Sequence, residues 1–322
     1  MDPLFQIAVG LALLALGGEG LIRGAVSLAR RYGMSELMIG LTLVGFGTST
    51  PELVTSVNAA LAGSPGIALG NVIGSNISNV LLIFGLVAWI SPMAIKPAAV
   101  GRDALIAILL SVALAAIALQ YGMISRQSGF AFVAVLLFYV AVVAWLERRG
   151  GAAAAMHEGE AVTHEPTPGA LAPALLFVVG GLAALIYGAD MLVHGAVILA
   201  GNAGISETVI GLTVVAIGTS LPELVVTLVA ALRGRADVAF GNIVGSNIYN
   251  ILGILGISSA ISPMAVPADV GLVDWIVLVV SAVALFAVAR TNSKVTRAEG
   301  RFLLLLYAGY MAWLFLKPAI SG

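Results

Sequence analysis

Ten long apolar stretches follow one another along the chain, separated by short connections that carry most of its charged residues. Each is close to the length of about 20 residues that an α-helix needs to cross a bilayer. Long apolar runs also argue against a membrane β-barrel, whose strands alternate apolar and polar residues. The pattern predicts an all-α polytopic membrane protein with ten transmembrane helices, near residues 3–28, 35–61, 67–90, 103–121, 128–146, 170–199, 206–232, 238–261, 272–290 and 299–316.

The composition of the chain is that of a membrane protein. Of its 322 residues, 60% are hydrophobic and only 10% are charged, whereas soluble domains contain about 25% charged residues. Because the chain has no cysteine, disulfides and thiolate metal sites are excluded. We expect a protein surrounded by the lipid bilayer, with no cofactor, no nucleic acid and no obligate protein partner.

The basic residues lie mainly in every second connection. If the N-terminus is outside, the inside connections hold twelve lysines and arginines and the outside connections hold two. Because cytoplasmic connections are enriched in these residues, we predict that both termini are outside and that the protein is a multi-pass protein of the inner (cytoplasmic) membrane. The start MDPLFQIAVG has no basic region, so no removable signal peptide is expected. The inside residues are Arg30, Arg31, Lys96, Arg102, Arg148, Arg149, Arg233, Arg235, Arg290, Lys294, Arg297 and Arg301, and the outside residues are Arg126 and Lys317.

The chain contains an internal repeat. Residues 34–93 align with residues 205–264 without a gap, and 33 of these 60 positions are identical. Each half then holds five spans, and because five is odd, the second half enters the membrane from the opposite side. Such inverted repeats are typical of secondary transporters, although a duplicated bundle without transport is an alternative. The predicted units are a first half (1–147, repeat motif at 40–79), a cytoplasmic linker (148–169) and a second half (170–322, repeat motif at 211–250).

The first motif is GTSTPE in the first half and GTSLPE in the second. Its proline has no N–H for the carbonyl four residues earlier, so the helix must break there. We expect the break to leave backbone oxygens unpaired near Gly45–Thr48 and Ala216–Thr219. The motif ends in Glu52 or Glu223, and a carboxylate within a membrane span is costly and usually marks an ion or proton path.

The second motif is GNVIGSNISN at 70–79 and GNIVGSNIYN at 241–250. It places neutral side chains that carry oxygen at every fourth position, on one face of a helix. These form the triplets Asn71, Ser75 and Asn79, and Asn242, Ser246 and Asn250. Interhelical hydrogen bonding is the alternative role of such residues in membrane bundles. The two interpretations are equally favoured for Asn71, Asn76, Asn242 and Asn247.

Together the two motifs supply hard oxygen donors: two carboxylates, several hydroxyl and amide groups, and freed carbonyls. Such a set suits Ca²⁺, which accepts about 6–8 oxygens in flexible geometry, better than Mg²⁺, which demands a tight octahedron. Two negative charges neutralise one Ca²⁺ or two monovalent cations. The sequence therefore predicts a cation site that is shared between the halves.

The paired motifs resemble the two repeat motifs of the cation/calcium antiporter superfamily, and above all those of prokaryotic sodium/calcium exchangers. The resemblance implies exchange of Ca²⁺ for Na⁺ by alternating access, without enzymatic activity. The proton/calcium branch of this superfamily typically has an asparagine where Thr48 and Ser49 stand, so the resemblance favours Na⁺ over H⁺ as the coupling ion. The alternatives are an H⁺/Ca²⁺ antiporter of the same superfamily and, less favoured, a cation channel.

Carried over by position, the resemblance implies a central Ca²⁺ site with Na⁺ sites on either side of it. The central site would use the carboxylates of Glu52 and Glu223 and the carbonyls of Thr48 and Thr219, with Asn79 and Asn250 completing the ring. The Na⁺ sites would use Gly45, Ser75 and Ser220 on one side and Ala216, Ser246 and Ser49 on the other. Well-known members of the family have an aspartate at the position of Asn250 or of Asn79, so the ring of this chain is less acidic.

Charged residues also occur four apart in the first helix of each half. They are Glu19 with Arg23 and Asp190 with His194. This spacing favours a local ion pair in each helix over a role in transport.

Overall fold

The computed structural model describes residues 2–32, 34, 36–61, 63, 65–94, 97–149, 171–202, 216–267, 270–290 and 294–320. Within these ranges the chain is almost entirely helical. The predicted linker 148–169 lies outside the described residues from residue 150 onward, as do residues 206–215 of the seventh predicted span.

The two halves repeat one order of helices. The first half contains α1 (Pro3–Tyr32), α2 (Glu36–Ile39), π1 (Gly40–Val44), α3 (Gly45–Thr48), α4 (Thr50–Leu61), α5 (Pro65–Ser78), π2 (Asn79–Phe84), α6 (Gly85–Ile90), α7 (Pro97–Tyr121) and α8 (Arg126–Arg149), where π marks a π-helix. The second half contains α9 (Leu171–Asn202), α10 (Ala216–Thr219), α11 (Leu221–Leu232), α12 (Ala236–Tyr249), π3 (Asn250–Leu255), α13 (Gly256–Ile261), α14 (Leu272–Arg290) and α15 (Arg297–Ile320).

Six helical runs in the described part of the chain are long and apolar enough to cross a membrane, judged by length and composition. Each coincides with a predicted span, and together they are Pro3–Ala29, Gly66–Ile90, Gly101–Tyr121, Arg126–Leu146, Leu171–Gly195 and Ala236–Ile261. Helices also occupy described parts of the other four predicted spans, as α2 to α4, α10 with α11, α14, and α15. The total of ten crossings stays a prediction.

The first helices of the two halves, α1 and α9, cross as an antiparallel pair with glycines at the contact. A Cβ atom added to Gly10 would lie 2.7 Å from the carbonyl oxygen of Gly188, and one added to Gly17 would lie 2.8 Å from that of Gly181. Small residues allow membrane helices to approach this closely. Along the contact, residue numbers rise in α1 and fall in α9. Equivalent helices of the two halves therefore run in opposite directions, as an inverted repeat requires.

Short strands at both ends of α7 also join the first half to the second. The strand β1 (Met93–Ala94), before α7, pairs antiparallel with β4 (Lys294–Val295), and β2 (Met123–Ile124), after α7, pairs antiparallel with β3 (Met264–Ala265). In the same way, α8 packs against α13 and α15 packs against α6. The connections of β1 and β4 are both predicted inside, and those of β2 and β3 are both predicted outside. Each strand pair thus joins connections that are expected on the same side of the membrane.

The centre of the bundle is formed by the second motif of each half. Within the run Ala236–Ile261, residues 238–256 are all buried, whereas only 22% of the apolar part of Arg126–Leu146 is buried. Polar side chains on the central run therefore face other helices of the protein, and their hydrogen bonds must be made within it.

Candidate functional site

The helices that carry the first motif break where their prolines predict. In the first half, Ser49 separates α3 from α4 with φ −81° and ψ 10°. In the second half, Ser220 separates α10 from α11 with φ −92° and ψ 8°. The carbonyl oxygens of Gly45 and Gly47 accept N–H groups at the end of α3. The expectation that the break leaves these two oxygens unpaired is therefore wrong.

Each glutamate of the motif accepts a hydrogen bond from a serine of the other half. Ser49 Oγ donates to Glu223 Oε1 at 2.9 Å, and Ser220 Oγ donates to Glu52 Oε1 at 3.3 Å. Both glutamates are only 1% exposed. The crossed hydrogen bonds bring the two carboxylates together between the halves, as the repeat predicted.

No basic side chain pairs with these carboxylates within the described part of the chain. The ion pairs there involve Glu19 and Asp103, and neither glutamate of the motif. The Oε2 atoms of Glu52 and Glu223 are buried and have no hydrogen-bond partner among the described residues. Because buried charges are normally paired or bound to a metal ion, two such carboxylates make this region strongly attractive to cations.

Two asparagines of the second motif add further acceptor oxygens. The Oδ1 atoms of Asn79 and Asn250 are buried without a hydrogen-bond partner in the described ranges, and each residue is 1% exposed. These residues begin π2 and π3, and π-helical turns are frequent at functional sites. The glutamate helix α4 packs against π3, and α11 packs against π2. Each asparagine therefore begins a segment that packs against the glutamate helix of the other half.

The remaining oxygen donors of the site come mainly from the first half's break and from α12. Thr48 Oγ1 donates to Asn242 Oδ1 at 3.2 Å, and Ser246 Oγ donates to the carbonyl oxygen of Gly45 at 3.3 Å. All four residues are buried. The side chains of the described residues contain no group of three or more His, Cys, Asp or Glu that could hold a metal ion. The donors of the site are thus two carboxylates supplemented by neutral oxygens.

Three further predicted site residues are located by the helices that carry them. Ser75 lies in α5 and is 6% exposed. Thr219 ends α10 and Ala216 begins it, and the side chain of Ala216 lies outside the described residues. A role of these three residues in ion binding stays a prediction.

Sequence reasoning did not assign the groups that hold the backbone of the glutamates. Asn71 and Asn242 each donate through Nδ2 to the backbone oxygen of the glutamate in their own half, at 3.3 and 3.4 Å. The same nitrogens donate to Ser56 and Thr227, both at 2.9 Å. These amide nitrogens therefore serve interhelical hydrogen bonding, one of the two roles considered from the sequence. The alignment of Ser56 with Thr227 in the repeat was the available signal for their hydroxyl partners.

The charged residues of α1 and α9 differ in their contacts. Glu19 pairs with Arg23 as predicted, and it also pairs with Arg233 beyond the end of α11, with 2.7 Å between Nη2 and Oε1. Asp190 and His194 occupy the aligned positions in α9, are exposed, and do not pair with each other. The prediction of the second ion pair is therefore wrong.

The chain is similar to known proteins along nearly its whole length. The family model described as sodium/calcium exchanger protein matches residues 3–145 and 173–316. CaxA of Alkalimonas amylolytica, a candidate antiporter, is 38% identical to this chain over 313 residues, which cover 96% of the chain and 97% of CaxA. The inner membrane protein YrbG of Escherichia coli is 35% identical over 313 residues, which cover 96% of the chain and 94% of YrbG.

The fold is also similar to a solved structure. The sodium-calcium exchanger NCX_Mj, from crystals soaked with Na⁺ and Sr²⁺, superposes with a TM-score of 0.82 at 32% identity. The match covers 97% of this chain and 99% of that one. The present chain is thus a mostly helical membrane protein with the fold of an ion exchanger.

Proposed function

Because the chain belongs to the sodium/calcium exchanger family, we propose that it exchanges Ca²⁺ for Na⁺ through one site that opens alternately to each side of the membrane. Members of this family are transporters, not enzymes, and the ions are their substrates rather than cofactors. The observation that carries the proposal is the pair of buried carboxylates, Glu52 and Glu223, held together by serines of opposite halves.

Ca²⁺ is the divalent cation that this donor set suits. The two carboxylates balance its charge, and neutral oxygens complete a shell of about 6–8 ligands. Four buried oxygens support this assignment because they have no hydrogen-bond partner in the described part of the chain: one each on Glu52, Glu223, Asn79 and Asn250. The proposed Ca²⁺ ligands are these four residues and the carbonyls of Thr48 and Thr219.

Na⁺ binds beside the carboxylates in this proposal, at hydroxyl and carbonyl oxygens. Ser49 and Ser220 already contact the glutamates, and Ser246 contacts the carbonyl of Gly45. The two Na⁺ groups are Gly45, Ser75 and Ser220, and Ala216, Ser246 and Ser49. Hydroxyl groups bind Na⁺ through oxygen and do not titrate near neutral pH, which favours Na⁺ over H⁺ at these positions. The groups of the site that can take up a proton are the two glutamates.

The proposed topology has ten membrane helices with both termini outside, in the inner (cytoplasmic) membrane. Support comes from the antiparallel α1 and α9, from strand pairs that join connections expected on the same side, and from the basic residues in the inside connections. The relative YrbG is named an inner membrane protein. The halves are 1–147 and 170–322, joined by a cytoplasmic linker at 148–169. A tag in that linker should be inaccessible from outside intact cells, and labelling from outside would contradict this topology.

Flux measurements in vesicles test the exchange. Proteoliposomes loaded with Na⁺ should take up Ca²⁺ only when the external Na⁺ is lower. Vesicles with the Glu52→Gln protein are the matched control for leakage. Uptake driven equally by a proton gradient, without an effect of Na⁺, would identify an H⁺/Ca²⁺ antiporter. Uptake that needs no counter-ion gradient would identify a channel.

The proposed exchange is electrogenic. Two carboxylates neutralise one Ca²⁺, so the Ca²⁺-loaded site carries roughly no net charge. The hydroxyl groups on both sides of the glutamates provide places for more than two Na⁺, which leaves the Na⁺-loaded site positive. Each unit charge moved across 100 mV is worth about 2.3 kcal/mol, so Na⁺-driven Ca²⁺ flux should respond to a clamped vesicle voltage. A flux indifferent to voltage would mean electroneutral exchange of two Na⁺ for one Ca²⁺.

A further inference from the structure

Asn76 and Asn247 form a reciprocal hydrogen-bonded pair at the centre of the bundle. Asn76 Nδ2 donates to the backbone oxygen of Asn247 at 3.2 Å, and Asn247 Nδ2 donates to the backbone oxygen of Asn76 at 3.3 Å. The two residues are 1% and 4% exposed. The pair ties α5 to α12, and it lies within one helical turn of the asparagines that begin π2 and π3.

The two backbone oxygens determine which way four side-chain amides face. A carbonyl oxygen only accepts hydrogen bonds, so the Asn76 atom beside the backbone oxygen must be the amide nitrogen. The Asn76 oxygen therefore faces Asn250, whose Nδ2 donates to it at 2.8 Å. In the equivalent contact of the other half, the side-chain oxygen of Asn247 accepts from Asn79 Nδ2 at 3.0 Å.

Asn79 and Asn250 each use the amide nitrogen in these hydrogen bonds, so the remaining polar atom of each side chain is its oxygen. Asn79 Oδ1 and Asn250 Oδ1 are these atoms, and within the part of the chain that the structure describes both are buried without a hydrogen-bond partner. If either amide were reversed, two oxygens would face each other and the NH₂ group would take the outward place. Its hydrogens would repel a cation, because a neutral amide attracts cations only through its oxygen.

We propose that Asn76 and Asn247 are positioning residues that fix the amides of Asn79 and Asn250 so that each presents its oxygen to the transported cation. The inference rests on the proposed function, because it assigns the two oxygens to the cation site. It gives the hydrogen-bonded pair a role beyond joining helices. A neutral asparagine needs such a device, whereas an aspartate presents an oxygen in either orientation.

Ca²⁺-dependent stabilisation of the purified protein in detergent measures this role. Binding raises the Tm in proportion to the logarithm of the ligand concentration over Kd, while the Tm without Ca²⁺ reports on the fold alone. Asn76→Ala should weaken Ca²⁺ binding about 10-fold, as expected when the hydrogen-bond partner of a ligand is lost. Ser111→Ala is the control, because it removes a buried hydroxyl that bonds only within α7, to the Ala107 carbonyl, and it should leave Ca²⁺ affinity unchanged.

A second background separates positioning from a purely structural role. In the Asn250→Asp protein, Asn76→Ala should lower Ca²⁺ affinity by less than about 3-fold, because either orientation of the aspartate presents an oxygen and the two changes are not additive. The Asn76 oxygen faces a carboxylate oxygen there, so its removal relieves a repulsion and an unchanged or higher affinity is also expected. The equivalent pair, Asn247→Ala with Asn79→Asp, makes the same comparison if Asn76→Ala does not fold. Equal losses in both backgrounds, or unchanged affinity in Asn76→Ala, would overturn the positioning role alone. If Ca²⁺ fails to stabilise the wild-type protein, the proposed function fails, and this inference fails with it.

Discussion

The two halves of the protein match closely at the site and differ in their first helices. At the site, the contact of Ser49 with Glu223 is repeated by that of Ser220 with Glu52. In the first helices, Glu19 is held by two arginines, whereas the aligned Asp190 is exposed and makes no ion pair in the described part of the chain. A cation bound between the halves requires the same ligands from both. The helices α1 and α9 carry no predicted ligand, so their contacts need not match. Symmetry of contacts therefore separates the site from its surroundings.

The largest effects should come from the two site carboxylates, and they should be alike. Glu52→Gln or Glu223→Gln removes half of the negative charge of the site while keeping the side-chain volume. Ca²⁺ transport should fall by about 100-fold or more, since Ca²⁺ affinity depends on the number of charged ligands. Asp190→Asn is the control, the same kind of carboxylate-to-amide change at an exposed position of α9, and its flux should be normal. Near-normal exchange in Glu52→Gln would refute the central site.

Acid should inhibit both directions of exchange. A proton on either glutamate removes one negative charge and one oxygen ligand, so protons compete with the cation for the same groups. The apparent affinity for Ca²⁺ in flux assays should fall as the medium becomes more acidic and recover when it is returned to neutral pH. Because two equivalent carboxylates take part, the loss should be steeper than the titration of one group. Affinity independent of pH would argue against carboxylate ligands.

A smaller and again symmetric effect is expected at the ring asparagines. Asn79→Ala or Asn250→Ala removes one neutral oxygen and leaves the charge of the site intact. Ca²⁺ affinity should fall about 10-fold, less than with either glutamate change, because neutral oxygens bind Ca²⁺ less strongly than carboxylates. Measured Kd values that differ strongly between these two variants would show that the halves contribute unequally.

The smallest effect should be found in the first helices, where it should also be asymmetric. Glu19→Gln breaks the contacts with Arg23 and Arg233, and pairs with this exposure are worth about 0–1 kcal/mol, so exchange rates should change less than about 5-fold. Asp190→Asn breaks no ion pair and should change nothing. Exchange rates measured side by side for the two variants test this, and a larger effect of Asp190→Asn would contradict the comparison.

Much of the site could be predicted from the sequence because its residues occur twice in one register. The apolar stretches located the helices, the prolines located the breaks at Ser49 and Ser220, and the repeat brought Glu52 and Glu223 together. In each case the controlling interactions lie within a few residues along the chain, or follow from the symmetry of the repeat.

Contacts between helices could not be predicted in the same way. The pairing of Asn76 with Asn247 and of Glu19 with Arg233 depends on how each helix is rotated about its axis. Helices in a bilayer are apolar all round, so their hydrophobic pattern does not indicate which face meets a neighbour. The Gly45 and Gly47 carbonyls were mispredicted for a related reason, because the turn at Ser49 supplies local N–H partners that the proline rule does not include.

The packing of α8 against α13, and of α15 against α6, has a consequence for the synthesis of the chain. Since α8 packs against α13, the fifth helix of the first half leaves the ribosome well before its partner exists. A Cβ atom added to Gly129 of α8 would lie 2.7 Å from the carbonyl oxygen of Gly256, so until α13 is synthesised this face of α8 lacks the helix that it packs against. The first half made alone should therefore be a target for membrane proteases, and coexpression of the second half as a separate chain should protect it. The packing of this protein should therefore be complete only after α15, the last of the described helices, has reached α6.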